Sequence, residues 1–187
     1  MVSDKSDFCI TCQQFQLSNT FRRLWMEHVL WTRFFIVSTV FNLPDLQNVT
    51  QRLLRNPVDF ANELQPFYGK QISLRFEQLL TEHLLIAAQL VNAAKAGNTA
   101  EVNVQREKWY ANAEEIARFL GEINPFWDVC VWRDLLFDHL QMTENEAVFM
   151  LNGRYERSIE EYDAIQAEAL QMADVMTRGI IQQFCIQ

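Results

Sequence analysis

Three side chains in this chain have the type and the placing to do chemistry: His28, His83 and His139, the only histidines among 187 residues. Neutral imidazole is a good ligand for Zn, Cu, Ni or Fe, and it is the side chain whose charge changes nearest neutral pH. Each of the three sits in an apolar helical stripe. At about 100° per residue, Phe76, Leu79, Leu80, Ile86, Ala87, Leu90, Val91 and Ala94 all fall within roughly 80° of His83. A histidine at the centre of a buried face is either a ligand or a core residue. Three histidines that leave one position open form the ligand set of a catalytic or exchangeable metal site. As core residues, their ring nitrogens would bond to inward-facing polar groups, for which Thr32, Thr143, Asn112, Tyr155 and Tyr162 are candidates. Acid–base work on an organic substrate is a third use.

The three histidines share their neighbours. His28 has Phe21, Leu24, Trp25, Glu27 and Val29 at i−7, i−4, i−3, i−1 and i+1. His83 has Phe76, Leu79, Leu80, Glu82 and Leu84 there, and His139 has Trp132, Leu135, Leu136, Asp138 and Leu140. The spacings are 83 − 28 = 55 and 139 − 83 = 56. Asn56-x-x-Asp59-Phe60-Ala61-x-x-Leu64 is echoed by Asn112-x-x-Glu115-Ile116-Ala117-x-x-Leu120, and each is followed by a Pro-Phe-aromatic turn, Pro66-Phe67-Tyr68 and Pro125-Phe126-Trp127. The echo predicts a helix-hairpin unit of roughly 56 residues used about three times. Histidines on the odd-numbered helices would then converge inside one bundle.

The elements that must position them are all helical. Leu17 to Phe41 reads as a long helix. Asp45 to about Gln65 reads as two shorter ones, with Asn56 as N-cap and Pro57 at the first position. After a turn at Pro66-Phe67-Tyr68-Gly69, a third helix runs from Gln71 to Ala96 and ends at Gly97. A fourth, capped by Asn98 or Thr99, runs to about Gly121. Asn124-Pro125 opens a fifth, to about Gln141. The capping box Thr143-Glu144-Asn145-Glu146 opens the last, to about Phe184, with Gly153 as a break near its start. No strand alternation is present. The expected architecture is all-α: an up-and-down bundle of about six helices, with a flexible tail over 1–14 and one domain over 15–187.

Composition narrows the function classes. Lys+Arg 16 against Asp+Glu 24 gives a net charge of −8, without the basic footprint that nucleic acid or an anionic membrane surface attracts. The longest apolar runs, 34–44 and 84–94, are far short of the roughly 20 residues a bilayer needs. Asp4, Lys5 and Asp7 stand where a signal peptide would be apolar, and four scattered cysteines make no disulfide framework, which points to a reducing, cytoplasmic compartment. Cys9-Ile-Thr-Cys12 is a lone C-x-x-C pair with neither a second pair for zinc nor a βαβ setting. No P-loop, G-x-G-x-x-G, nucleophile elbow or H-E-x-x-H occurs, and the residues at i−3 (Trp25, Leu80, Leu136) exclude the Glu-x-x-His of di-iron bundles. Arg22, Arg23, Arg52 and Arg55 form a modest basic patch on the first two helices.

Several stretches together carry a resemblance: Glu27-His28-Val29-Leu30-Trp31-Thr32-Arg33, Leu53-Leu54-Arg55-Asn56-Pro57, Pro66-Phe67-Tyr68-Gly69, Glu82-His83-Leu84-Leu85-Ile86-Ala87-Ala88 and Ile123-Asn124-Pro125. After residue 20 the chain resembles a family of uncharacterised all-helical proteins from spore-forming bacteria. Some members carry an automatic label of acetylglutamate kinase, which would need an α/β sheet and Gly-rich phosphate loops that this sequence lacks. The resemblance implies a bundle and no activity. There is a looser likeness to duplicated, histidine-bearing bundles of the ferritin-like sort, which bind metals, without their carboxylate ligands at the usual spacing. The leading expectation is a bundle holding a divalent transition metal (Zn, Fe or Ni) or a small polar ligand at His28, His83 and His139. The alternative is a non-catalytic structural or interaction bundle, as a monomer or a homodimer.

Overall fold

The computed structural model describes residues 10–187. The helices are α1 (Cys12–Phe41), α2 (Leu46–Leu54), α3 (Asn56–Lys95), α4 (Thr99–Ile123), α5 (Val129–Leu151) and α6 (Tyr155–Phe184). No strand occurs among the described residues. Cys9, half of the C-x-x-C pair, lies outside them.

Caps and glycines set the helix ends, not always where the sequence suggests. Helix α1 starts at a capping box: the Thr11 hydroxyl accepts from the Gln14 N–H and the Gln14 side chain accepts from the Thr11 N–H, each at 3.2 Å. Cys12 to Gln14 are therefore helical, where the sequence suggests a tail as far as residue 14. Helix α3 is two legs joined at Gly69, whose φ of 78° is a conformation that favours glycine. The legs fold back on each other, with the Phe60 and Phe76 rings 5.8 Å apart. This is the turn expected at Pro66–Gly69.

Three expected caps fail for identifiable reasons. Thr143 lies in the interior of α5, because Glu146, the residue that would reach back to it, is drawn off to Arg33 on α1. The chain breaks instead at Gly153, with φ 69°. Asn124 does not cap α5. Its side-chain oxygen accepts from the Phe126 N–H at 2.9 Å, and Asp128 caps the helix by accepting from the Val131 N–H at 3.0 Å. Asn56 makes no cap bond either; its amide is used elsewhere.

Short connections force each leg to run against the one before it. Helix α1 packs on α6, α6 on α5, α5 on α4, α4 on α3, and α3 back on α1, which closes a ring of helices. Inside the ring, Phe21, Leu24, Phe60, Phe76, Trp132 and Met172 belong to one large core cluster. Burying each such side chain contributes about 1.5–3 kcal/mol. A smaller cluster, including Ile36, Leu53, Leu84 and Ala147, fills the other end. The histidines stand near the junction of the two, on α1, the second leg of α3, and α5. The expected basic patch is neutralised at the surface by Arg22–Asp174, Arg52–Glu27 and Arg55–Asp59 pairs. No described helix is long and apolar enough to cross a membrane.

Candidate metal centre

The fold brings all three histidines together. Their ring centroids are 5.6 Å (His28 to His139), 6.1 Å (His28 to His83) and 6.5 Å (His83 to His139) apart. Each residue is 1–2% exposed. One ring nitrogen from each lies within 4.8 Å of the other two.

Neighbouring helices decide which nitrogen that is. His28 Nδ1 is 3.1 Å from Asn56 Oδ1, at the start of α3. His83 Nδ1 is 3.1 Å from Asn112 Oδ1 on α4. His139 Nδ1 is 3.1 Å from Glu168 Oε2 on α6. The two amides are oriented by their other ends: Asn56 Nδ2 donates to the Leu24 carbonyl at 3.0 Å, and Asn112 Nδ2 donates to the Leu79 carbonyl at 3.1 Å. Their oxygens must therefore face the imidazoles, so Nδ1 carries the proton and donates. A carboxylate makes the same demand of His139. Each ring thus turns Nδ1–H outward to a fixed acceptor, which leaves Nε2 for the other two rings.

Three points no more than 4.8 Å apart share a centre about 2.8 Å from each at most. A metal–imidazole bond is about 2.0–2.1 Å, so small ring movements would complete the site. The donor set could hold a metal ion: three imidazoles, each with its Nδ1 bonded to an acceptor that fixes the ring's orientation. Glu168 is the one carboxylate among those acceptors. Its Oε1 is buried without a hydrogen-bond partner among the described residues.

The electrostatics also favour the neutral form of His28 and His83. Burial, and then the nearby His139 ring, push His28 down to about 3. Burial and the other two histidines hold His83 well below its usual value of 6.5. At neutral pH both are available as ligands rather than cations. Nearby, burial pushes the Glu146 carboxyl up to about 7 although the Arg33 guanidinium is bonded to it.

Of the hydrogen-bond partners expected from sequence, only Asn112 serves. The Thr32 hydroxyl donates to the His28 carbonyl at 2.8 Å, one turn back in its own helix. Thr143 Oγ1 has no partner among the described residues, and the Tyr162 hydroxyl meets none of the three rings. Asn56 and Glu168 were not anticipated. Asn56 was concealed by the Pro that follows it, which makes it look like a cap. A spacing signal for both existed, since 112 − 56 = 56 and 168 − 112 = 56. No family model, curated protein or solved structure matches this chain.

Proposed function

We propose that this chain binds one divalent transition metal ion, Zn, Fe or Ni in kind, through Nε2 of His28, His83 and His139. The observation that carries the reading is the convergence of three inward nitrogens within 4.8 Å, each backed by an oriented acceptor on a different helix leg. Three ligands leave a fourth position for water or an exogenous ligand. The positive charge is matched in part by the Glu168 carboxylate 3.1 Å from His139, which also raises the donor strength of that ring. When bound, such an ion supplies Lewis acidity and lowers the pKa of a coordinated water. The protein's own part is to hold three imidazoles buried and aimed, with His28 and His83 kept neutral.

We also read the chain as repeated helix-hairpin units. The recurrence of one contact supports this: each histidine is bonded to a residue 28 or 29 positions later. A reducing, cytoplasmic setting is supported by Cys130 and Cys185, which are exposed and free among the described residues.

The rival reading, a non-catalytic structural or interaction bundle with core histidines, is favoured by one observation: every Nδ1 has a protein partner. Elemental analysis of untagged protein separates the two. One ion per chain, and a melting temperature that rises when metal is returned to chelator-stripped protein, bear out the metal reading. Metal-free protein with no such rise leaves the structural bundle.

A further inference from the structure

The surroundings of the histidines differ along the bundle axis. On one side, at i−4, stand Leu24, Leu79 and Leu135, and at i−3 stand Trp25, Leu80 and Leu136, all buried. That side is packed with large side chains from all three helices. On the other side, one turn on at i+4, stand Thr32, Ala87 and Thr143, all small for their position. These three residues line a cavity of about 20 Å³, walled beyond them by apolar groups such as Ile36, Val91 and Ala147. Because residues one turn after His28, His83 and His139 line it, and the histidines themselves do not, the three helices run in parallel and the cavity lies one turn beyond the rings. The lining is almost wholly apolar. Glu144 is its only charged residue, and Arg106 on α4 is bonded to that carboxylate at 3.0 Å.

Resting on the metal reading above, we infer that the fourth coordination position faces this cavity and takes a small linear ligand of two or three heavy atoms, of dioxygen or azide size. The space holds one or two water-sized molecules. A ring-shaped or branched substrate does not fit without parting α1, α3 and α5. Apolar walls select for low hydration.

The test uses full-length protein loaded with cobalt(II), whose visible spectrum responds to a change of ligand, with azide as the small probe and imidazole as the bulky one. Metal content is measured before either is added. Azide is expected to shift the spectrum saturably, with imidazole having no effect up to at least a tenfold higher concentration. Ala87→Leu, which fills the cavity floor, is expected to keep one cobalt per chain and weaken azide binding at least tenfold. Ala147→Leu, one turn higher, is a second filling variant should Ala87→Leu fail to fold. If azide binds the filled variants as it binds the parent, or imidazole binds as readily as azide, the position opens elsewhere and the inference is overturned. Failure of cobalt to load is read before any ligand is added; it overturns the metal reading itself, and this inference with it.

Discussion

His139 and Glu168 form the one charged contact in a set of three otherwise alike: Nδ1 lies 3.1 Å from a carboxylate where His28 and His83 face amides at the same distance. Asn56 and Asn112 each use their second atom on a backbone carbonyl, whereas Glu168 Oε1 is buried with no partner among the described residues. A carboxylate in that position is a liability to the metal-free fold and an asset to a cation. Glu168→Gln therefore separates the two. Metal-free protein is expected to be as stable as the parent or more so, because a buried carboxylate is replaced by an amide whose oxygen still accepts from His139 Nδ1. Metal affinity is expected to fall about 10- to 100-fold. Urea unfolding in chelator and a metal titration measure the two sides.

Replacing a single ring tests whether the three act as one site. His83→Phe leaves Asn112 Oδ1 buried without its donor, at a cost of about 1–3 kcal/mol. Such a loss is expected whether the ring is a ligand or a core residue. The distinguishing readout is the response to metal. The parent should gain about 2.7 kcal/mol when metal is present at 100 times its dissociation constant, and His83→Phe should gain almost nothing in calorimetry under the same conditions.

Acid should unfold the metal-free protein early. The unfolded chain protonates His28 near its ordinary value of 6.5, while the folded chain does so only near 3, and His83 is displaced in the same direction. Between these values the unfolded state holds more protons, so stability is full above pH 6.5 and declines as pH falls. Each such site removes about 1.4 kcal/mol per pH unit. Glu146 acts oppositely: with its folded value raised to about 7 from 4.5, its contribution is full below pH 4.5 and is lost as pH rises through 7. Urea midpoints from pH 7.5 to 4.5 are expected to fall for the parent, and to fall less for His28→Phe. An equal slope in both would show that His28 is not the group involved.

Helix α6 also makes a close approach that tolerates no side chain. A Cβ at Gly179 would stand 1.9 Å from Trp127 Nε1 and 2.3 Å from its Cδ1. Trp127 is 2% exposed and donates that N–H to the Val175 carbonyl at 3.2 Å. Gly179→Ala must displace a buried indole, and is expected to cost about 1–3 kcal/mol, more than the helix propensity of alanine returns. Chemical denaturation of the variant checks this. A neutral or stabilising result would show that the α6–Trp127 contact is looser than described.

The sequence made the trio and its meeting point legible, because periodicity places a side chain on a face and the spacings of 55 and 56 put three such faces in register. It was silent on what backs the rings. Asn56 followed by Pro57, and Thr143 followed three residues later by Glu146, carry strong local cap signals, and tertiary contacts overrode both. His28 and the Leu24 carbonyl claimed the Asn56 amide, and Arg33 claimed Glu146. Glu168 has no local signature at all. A charged residue on a helix is ordinarily a solvated one, and only its alignment with Asn56 and Asn112 marks it.

The depth of the histidines has a kinetic meaning. Rings only 1–2% exposed, on helices whose ligands are 55 and 56 residues apart, tie an ion's escape to separation of the helices rather than to rupture of three bonds. A captured ion would leave at the rate the bundle opens. Its half-life against an excess of chelator should be insensitive to chelator concentration and should shorten in step with any substitution that speeds unfolding, including ones far from the rings. Retention would then be a property of the whole fold, and equilibrium affinity alone would understate how long the chain keeps its ion.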